Sequence, residues 1–474
     1  MKRRTFIQNS ALLSAGMLAS KFSLASDGLS SSYPVVRVAE KDRHFKSKVI
    51  ENIIKEFQGK VADKELGWLF HNCFPNTLDT TIYDESTATQ KLTYVITGDI
   101  DAMWLRDSSA QVWPYLPFMK KDKSLQNLIV GLINKQAKCI NIDPYANAFY
   151  NDPTKEGEWF SDHTEMKPGI HERKWEIDSL CYPVRLAHAY WEETKDTSPF
   201  DAEWVQAQEN IYKTFVEQQR KESLGPYNFM RTTPRGTDTL QVDGWGYPVK
   251  PVGLICSSFR PSDDCTMLPF LIPSNLFAIV SLRQSAEILK KVKNNTDLAQ
   301  KMEALANEVE EAVNKYGIID HPTHGRVYAF EVDGYGSYMM MDDANVPSLL
   351  SLPYLGAIDK NDEVYQRTRK FILSEENPFF FKGTAAEGIG GPHIGRDMIW
   401  PMAIIMRAMT SSDDAEIRTC IQTLKKTHGD TGFMHEAFHK DDPKNFTRHW
   451  FAWTNTLFGE LLWKTYQEKP SLLV

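Results

Sequence analysis

Leu298-Ala299-Gln300-Lys301-Met302-Glu303-Ala304-Leu305-Ala306-Asn307-Glu308-Val309-Glu310-Glu311-Ala312-Val313 reads as one helix. Leu298, Met302, Leu305, Val309 and Val313 recur at the helical period, and charged or small residues fill the gaps, so one stripe faces a core. The same period holds just upstream in Leu276, Ile279, Leu282, Ala286 and Leu289. Further out it returns in Val49–Phe57, Leu125–Ile133, Leu180–Trp191 (with Pro183 inside), Trp204–Phe215, Val364–Leu373, Ile399–Met409, Ala415–Leu424 and Trp450–Trp463. Weaker candidates at 108–119 and 346–355 bring the total to about a dozen helices. Strand signals are few: Arg326–Val332 before Asp333-Gly334-Tyr335-Gly336 reads as a hairpin arm, and Leu92–Ile96 as a short strand. No repeat of fixed length argues for a solenoid. The expectation is an all-α chain, an α/α toroid whose long polar-aromatic loops line one mouth, with minor β-hairpins.

A chain of 474 residues suits one large toroidal domain or two to three smaller ones. The net charge of −8 argues against nucleic acid or an anionic membrane as partner. Cys73, Cys139, Cys181, Cys256, Cys265 and Cys420 show neither Cys-x-x-Cys nor zinc-finger spacing. Cys256 to Cys265 is the easiest loop to close, but buried free thiols are the expected state in a chain with this much core. Lys2-Arg3-Arg4-Thr5-Phe6-Ile7, the mildly apolar Ala11–Ala19 and the small residues Leu24-Ala25-Ser26 read as a twin-arginine export signal, too short and polar for a membrane anchor. The expected organisation is a signal over residues 1–26, a Ser-rich linker over 27–44 and one large domain over 45–474, delivered to the periplasm. No feature sets an oligomeric state, and a monomer is compatible with the sequence.

Chemistry concentrates in six loops. Thr97–Ser108 holds Trp104, a stacking platform, and Arg106-Asp107, a pair able to clasp vicinal hydroxyls; its structural alternative is a helix start capped by Asp107 or Ser108. Glu172–Ser179 carries Glu176 and Asp178, equally readable as a salt-bridged helix start. In Ser258-Phe259-Arg260-Pro261-Ser262-Asp263-Asp264-Cys265, crowding two acids disfavours ionising both, so one can keep the proton a general acid needs. Met341-Asp342-Asp343-Ala344-Asn345-Val346-Pro347 pairs two acids again. Gly388–Pro401 is Gly-rich and contains His393, but fits neither phosphate-loop spacing and reads as a pocket rim. Gly432–Pro443 contains His435-Glu436-x-x-His439, the zincin pattern. Gly432 and Pro443 bracket it too closely for the long helix a zincin needs, so a loop-borne Glu base is the preferred reading.

Taken together these loops resemble glycoside hydrolase family 125, exo-α-1,6-mannosidases of bacteria and fungi. The resemblance rests on Thr97–Ser108, Asp143-Pro144-Tyr145-Ala146-Asn147, Trp175–Pro183, Phe259–Asp264, Met341–Leu349, Met434–Pro443 and Arg448-His449-Trp450-Phe451-Ala452-Trp453-Thr454-Asn455. It runs from about residue 45 to the C-terminus, and several separated motifs in one order are far more specific than any single one. It implies an (α/α)6 barrel and metal-independent hydrolysis without a cofactor. It also implies inversion at the anomeric carbon and removal of terminal α-1,6-linked mannose from N-glycan or mannan chains. The family's general acid falls on the Asp pair, here assigned to Asp263 with Asp264 as the alternative; the base matches Glu436. Trp104, Arg106 and Asp107 match the pattern around the terminal sugar. Asp178, Arg260, Asp264, Asp343, Asn345, His393, His435 and Trp453 complete the candidate substrate-binding set. Gly391-Pro392-His393-Ile394 departs mildly from the family pattern, which bears on fine specificity. The competing readings are a glycan-binding protein without catalysis, a zinc peptidase, and a glycosidase of the same fold for another sugar.

Overall fold

The computed structural model describes residues 33–474, so the export-signal reading of 1–26 lies outside the described residues. Val36–Val474 forms one compact unit. Part of the expected linker is packed into it: Arg37 is buried and pairs with Asp79 at 2.7 Å and Glu51 at 2.6 Å. The folded unit thus reaches back to Val36.

Thirteen α-helices are present among the described residues. The helical stripes decide their placement. In α1 (Lys48–Lys60) Ile50, Ile54 and Phe57 are buried, and Ser47 caps the start by accepting the Ile50 N–H at 3.2 Å. Helices α2 (Lys64–Cys73) and α3 (Asn76–Thr80) follow; neither was read from the sequence, and α3 is only five residues long. Then come α4 (Leu105–Val112), α5 (Lys123–Ile142), α6 (Ile177–Thr194), α7 (Ala202–Gln218), α8 (Ile272–Lys291) and α9 (Thr296–Ala312). The chain closes with α10 (Glu363–Ile372), α11 (Pro401–Met409), α12 (Asp414–Lys426) and α13 (Ala452–Glu468). In α9 the stripe Leu298, Met302, Leu305 and Val309 is buried, and the helix packs on α8.

The inner ring follows from which helices touch: α4 packs on α6, α6 on α8, α11 on α13, and α13 back on α4. Partners pack outside them, α5 with α7, α9 with α8 and α12 with α11. This is the (α/α)6 toroid. The weaker helix expected at 346–355 is absent; the segment is a run of turns. Pro347 and Pro353 supply no N–H for a ladder. The turns are nonetheless built into the ring, since Tyr182 Oη of α6 donates to the Val346 carbonyl at 3.1 Å and Arg185 donates to the Tyr354 carbonyl at 3.1 Å. The expected 108–119 helix is α4 followed by a 3-10 stretch over Trp113–Lys121, where Pro114 and Pro117 prevent α-type bonding.

Several inner helices begin at or next to the end of a two-residue strand: Met103–Trp104 leads into α4, Phe270–Leu271 into α8, and Met398–Ile399, through Trp400, into α11. These strands belong to separate small antiparallel sheets. Tying the chain there holds each helix N-terminus at one mouth of the ring. The hairpin arm expected at 326–332 is divided between two sheets: Gly325–Tyr328 pairs with Ile318–His321, while Glu331–Val332 pairs with Tyr338–Met339 across the predicted Asp333–Gly336 turn. All six cysteines are free and buried. No helix among the described residues is long and apolar enough to cross a membrane.

Candidate active site

Helix α4 starts at Leu105 without a side-chain cap, so Asp107 and Ser108 do not cap it. Its first turn instead buries Arg106 and Asp107. Arg106 is the hub of the pocket floor. Its Nη1 reaches Glu176 at 2.5 Å and Asp178 at 3.1 Å, its Nε lies 3.4 Å from Asp107, and its Nη2 lies 3.8 Å from Asp263. Glu176 and Asp178 start α6, the neighbouring inner helix. One guanidinium facing this many carboxyls cannot balance them all as anions. Burial, against the pull of Arg106, holds Glu176 well above and Asp107 and Asp178 above the usual carboxylate range.

Asp263 comes from the loop that precedes α8, the inner helix packed beside α6. Its backbone sits at φ 69°, in the left-handed region that costs a non-glycine residue energy. Lys174 holds it there by donating to the Asp263 carbonyl at 2.9 Å, and the Asp263 N–H donates to Arg260 O at 2.9 Å. The turn separates the two acids. Asp263 lines the pocket with its side chain 29% exposed, whereas the Asp264 side chain is 2% exposed and faces His393. Burial raises the Asp264 carboxyl, but His393 Nδ1 at 3.6 Å, with Thr237 and Arg260, outweighs it and leaves the group below its ordinary value. His393 is held up by the same pair, its own burial opposing.

Glu436 comes from the loop after α12. Thr447 Oγ1 donates to its Oε2 at 3.0 Å, and Arg448 Nη1 lies 3.8 Å from its Oε1. Arg448 is oriented by Asp99, which accepts from its Nε at 2.8 Å. The loops carrying Asp107 and Arg448 are sewn together: Asp99 N–H donates to Trp450 O at 3.1 Å and Ala452 N–H to Thr97 O at 3.2 Å. Gly98 makes that seam possible. It sits at φ +134°, and a Cβ there would collide with the Trp450 carbonyl oxygen. Gly98→Ala is expected to lower stability by about 1–3 kcal/mol, read as a fall in melting temperature, with activity lost in step as the seam opens.

The pocket at the mouth brings together Trp104, Arg106, Asp107, Asp263, Asn345, His393 and Glu436 from the sequence-derived set. Asn345 is placed by donating from Nδ2 to Pro261 O at 2.8 Å. Thr97, Ile100, Pro261, Ser262, Trp400, Arg448 and Phe451 line it as well and were not singled out as site residues. Arg448 and Phe451 fall inside a stretch that carried the family resemblance, but nothing local marks them as lining. Trp400 Nε1 and Asp263 Oδ1 are buried without a hydrogen-bond partner among the described residues, and His393 Nδ1 has only the Asp264 carboxyl at 3.6 Å. Such orphans are rare in folded proteins, and their clustering here marks a polar ligand site.

The other named residues stand behind the lining. Asp178 pairs with Arg106, and Arg260 bonds Glu331 at 2.7 Å. Asp343 accepts from Ser262 Oγ at 2.7 Å, next to the pocket wall. Its neighbour Asp342 has a different job: fully buried, it accepts the Leu349 and Leu350 N–H groups at 2.8 and 3.0 Å, and burial pushes it up to about 8. Trp453 is buried between Tyr182 and Phe451. His435 stacks on Phe446 at 3.6 Å, with Nδ1 at 3.0 Å from Arg448 O and Nε2 at 3.0 Å from Thr431 Oγ1. Both ring nitrogens are therefore in use. His439 ends the strand Ala437–His439, so the two imidazoles do not share a helix face as a zincin requires.

An α/α toroid with acids and aromatics at one mouth is an architecture of glycoside hydrolases. A bacterial glucoamylase complexed with acarbose has this fold, at a TM-score of 0.56 and 14% identity over 89% of this chain and 59% of that one. More specific matches cover nearly the whole chain. The model of glycoside hydrolase family 125, metal-independent α-mannosidases, matches residues 63–463. The meiotically up-regulated gene 157 protein of Schizosaccharomyces pombe is 43% identical over 460 residues, 93% of this chain and 90% of that protein. A Streptococcus pneumoniae metal-independent α-mannosidase, solved in a non-productive complex with α-1,6-mannobiose, is 41% identical with a TM-score of 0.86, over 90% of this chain and 100% of that one. The chain belongs to glycoside hydrolase family 125, the metal-independent α-mannosidases.

Proposed function

We propose that this α-mannosidase is an exo-acting, inverting enzyme that removes terminal α-1,6-linked mannose from N-glycan or mannan oligosaccharides. Asp263 is its general acid and Glu436 its general base. The observation that carries the reading is that these two carboxyls line one pocket while arriving on loops from well-separated parts of the chain. Asp263 protonates the departing glycosidic oxygen. Glu436 takes a proton from a water that attacks the anomeric carbon from the opposite face. Inversion needs room for that water, so the carboxyls are expected about 6.5–9.5 Å apart in the working complex. Arg106, Asp107 and Arg448 supply charged hydrogen bonds to the sugar hydroxyls, and Trp104 and Trp400 supply ring faces. Loops from several sides of the ring surround the pocket, which favours entry of a chain end. The mannobiose complex of the pneumococcal relative supports the choice of sugar and linkage.

Proton NMR of the anomeric signals during cleavage of α-1,6-mannobiose, with chelator present, tests the reading. β-Mannose is expected first, at an unchanged rate with chelator. Early α-mannose would discard inversion, and binding without product would favour a glycan-binding protein. The twin-arginine reading of Arg3 and Arg4 leads us to place the enzyme in the periplasm. Replacing both with Lys is expected to leave the precursor in the cytoplasm by cell fractionation; normal export would exclude that route.

A further inference from the structure

A second cavity, of about 550 Å3, opens at the other end of the inner ring. Its walls include Trp113 just past α4, Arg185 on α6, Tyr354 of the turn segment, and Glu460 and Lys464 on α13. Arg185 and Glu460 each lie eight residues beyond the start of their helix, roughly 12 Å along the axis from the helix N-termini at the catalytic mouth. None of the residues lining the catalytic pocket lines this cavity.

Arg185 is the unusual group. It is 4% exposed, and its guanidinium carbon lies 3.4 Å from the centre of the Trp113 ring and 4.9 Å from that of Tyr354. The two rings hold the plane rigidly. Its one hydrogen bond runs from Nη2 to the Tyr354 carbonyl at 3.1 Å, and no carboxylate among the described residues pairs with it. A guanidinium carries five N–H donors. None of its nitrogens is sealed from solvent without a partner, so the remaining N–H groups are reached through the cavity. Glu460 is near enough for Arg185 to favour its charge, but a buried cation with no carboxylate at ion-pair distance is costly, and proteins normally pair it directly.

The other charges around the cavity sort by partner. Lys464 is bound to Glu468 at 2.5 Å and Lys469 to Asp414 at 2.5 Å. Lys360 lines the cavity without an ion pair, and Asp359 stands beside it, exposed. Glu460 accepts from Tyr354 Oη at 2.9 Å. Two unpaired cations thus face one exposed acid and one buried acid. Burial pushes the Glu460 carboxyl up to about 7, against Tyr354, Arg185, Lys464 and Trp113, so in mildly acidic solution it is neutral and the cavity is positive.

We propose that this cavity is a second ligand site, taking a small oxyanion of the phosphate, sulfate or carboxylate class on the free edge of Arg185, with Lys360 as the second cation. Occupancy ties α6, α13 and the 346–355 segment together and so stabilises the ring. Ionised Glu460 opposes the anion, so affinity falls as pH rises through the Glu460 titration.

The test is calorimetry and thermal melting of the full chain with sulfate, whose charge is constant over the range, against chloride at equal ionic strength. A saturable sulfate effect at about pH 5.5 is expected, weakening roughly tenfold or more by about pH 8.5. Glu460→Gln should retain the tighter binding at the higher pH, and Arg185→Gln should abolish binding. If Arg185→Gln does not fold, Lys360→Ala serves in its place and should weaken sulfate binding. Parallel titrations with inorganic phosphate and acetate show which oxyanion the site prefers. No saturable effect in the unaltered protein overturns the proposal, as does an equal effect in Arg185→Gln, which would be a general salt response. Cleavage of mannobiosides is not read in this experiment, so its outcome is independent of the proposed catalytic reading.

Discussion

Asp263→Asn and Glu436→Gln are each expected to lower kcat on α-1,6-mannobiose by about 10²–10⁴-fold while mannobiose binding, followed by calorimetry, changes little. Each substitution keeps shape and hydrogen-bonding capacity and removes only the proton chemistry. The paired control is Asp264→Asn. Asp264 is buried against His393 and does not line the pocket, so its amide should leave most of kcat intact and act mainly on stability. If instead Asp264→Asn is inactive and Asp263→Asn keeps full rate, the acid is the other neighbour. The left-handed turn at Asp263 is the physical reason for expecting two adjacent, chemically identical residues to differ so strongly: one carboxyl lines the pocket and the other is buried in the protein.

Arg106→Met is expected to be the most damaging change to stability at the site, about 3–5 kcal/mol by denaturant unfolding. It leaves Glu176, Asp178 and Asp107 buried without the cation they share. The loss should grow with pH. In the unfolded chain these carboxyls release their protons at ordinary values, about 4. In the folded variant burial holds the protons to much higher pH, so across that window each added pH unit favours unfolding. A Tm that falls steeply from about pH 5 to about pH 8, more steeply than that of the unaltered protein, is the expected signature. A flat difference across that range would mean the acids are not ionised around Arg106.

Much of the architecture was readable because burial on a helix imposes a period. Leu298, Met302, Leu305 and Val309 announce α9 without reference to any other element, and the stripes of α1, α8 and α12 do the same. The reading failed where local rules conflict or the element is too short to repeat. The 346–355 segment has apolar residues at helical spacing, yet Pro347 and Pro353 interrupt the ladder, and it takes its place in the ring through bonds made by Tyr182 and Arg185 from another helix. The 326–332 run was readable as extended chain, but its division between two sheets depends on which strands lie beside it.

By itself the sequence determined a mostly helical chain, chemistry gathered in loops, and an acid pair and a Met-His-Glu loop as the reactive candidates. Those are properties of residue types and their spacing along one segment. Tertiary structure alone decided that α13 returns to α4 and closes the ring, and that Asp263 rather than Asp264 lines the pocket. It also decided that Arg448 joins Glu436 there, that His435 spends both nitrogens on its own loop, and that Arg185 stands unpaired between two rings at the far end. Each of these depends on groups from distant parts of the chain meeting at hydrogen-bond or van der Waals distance. Spacing along the chain carries no information about such meetings.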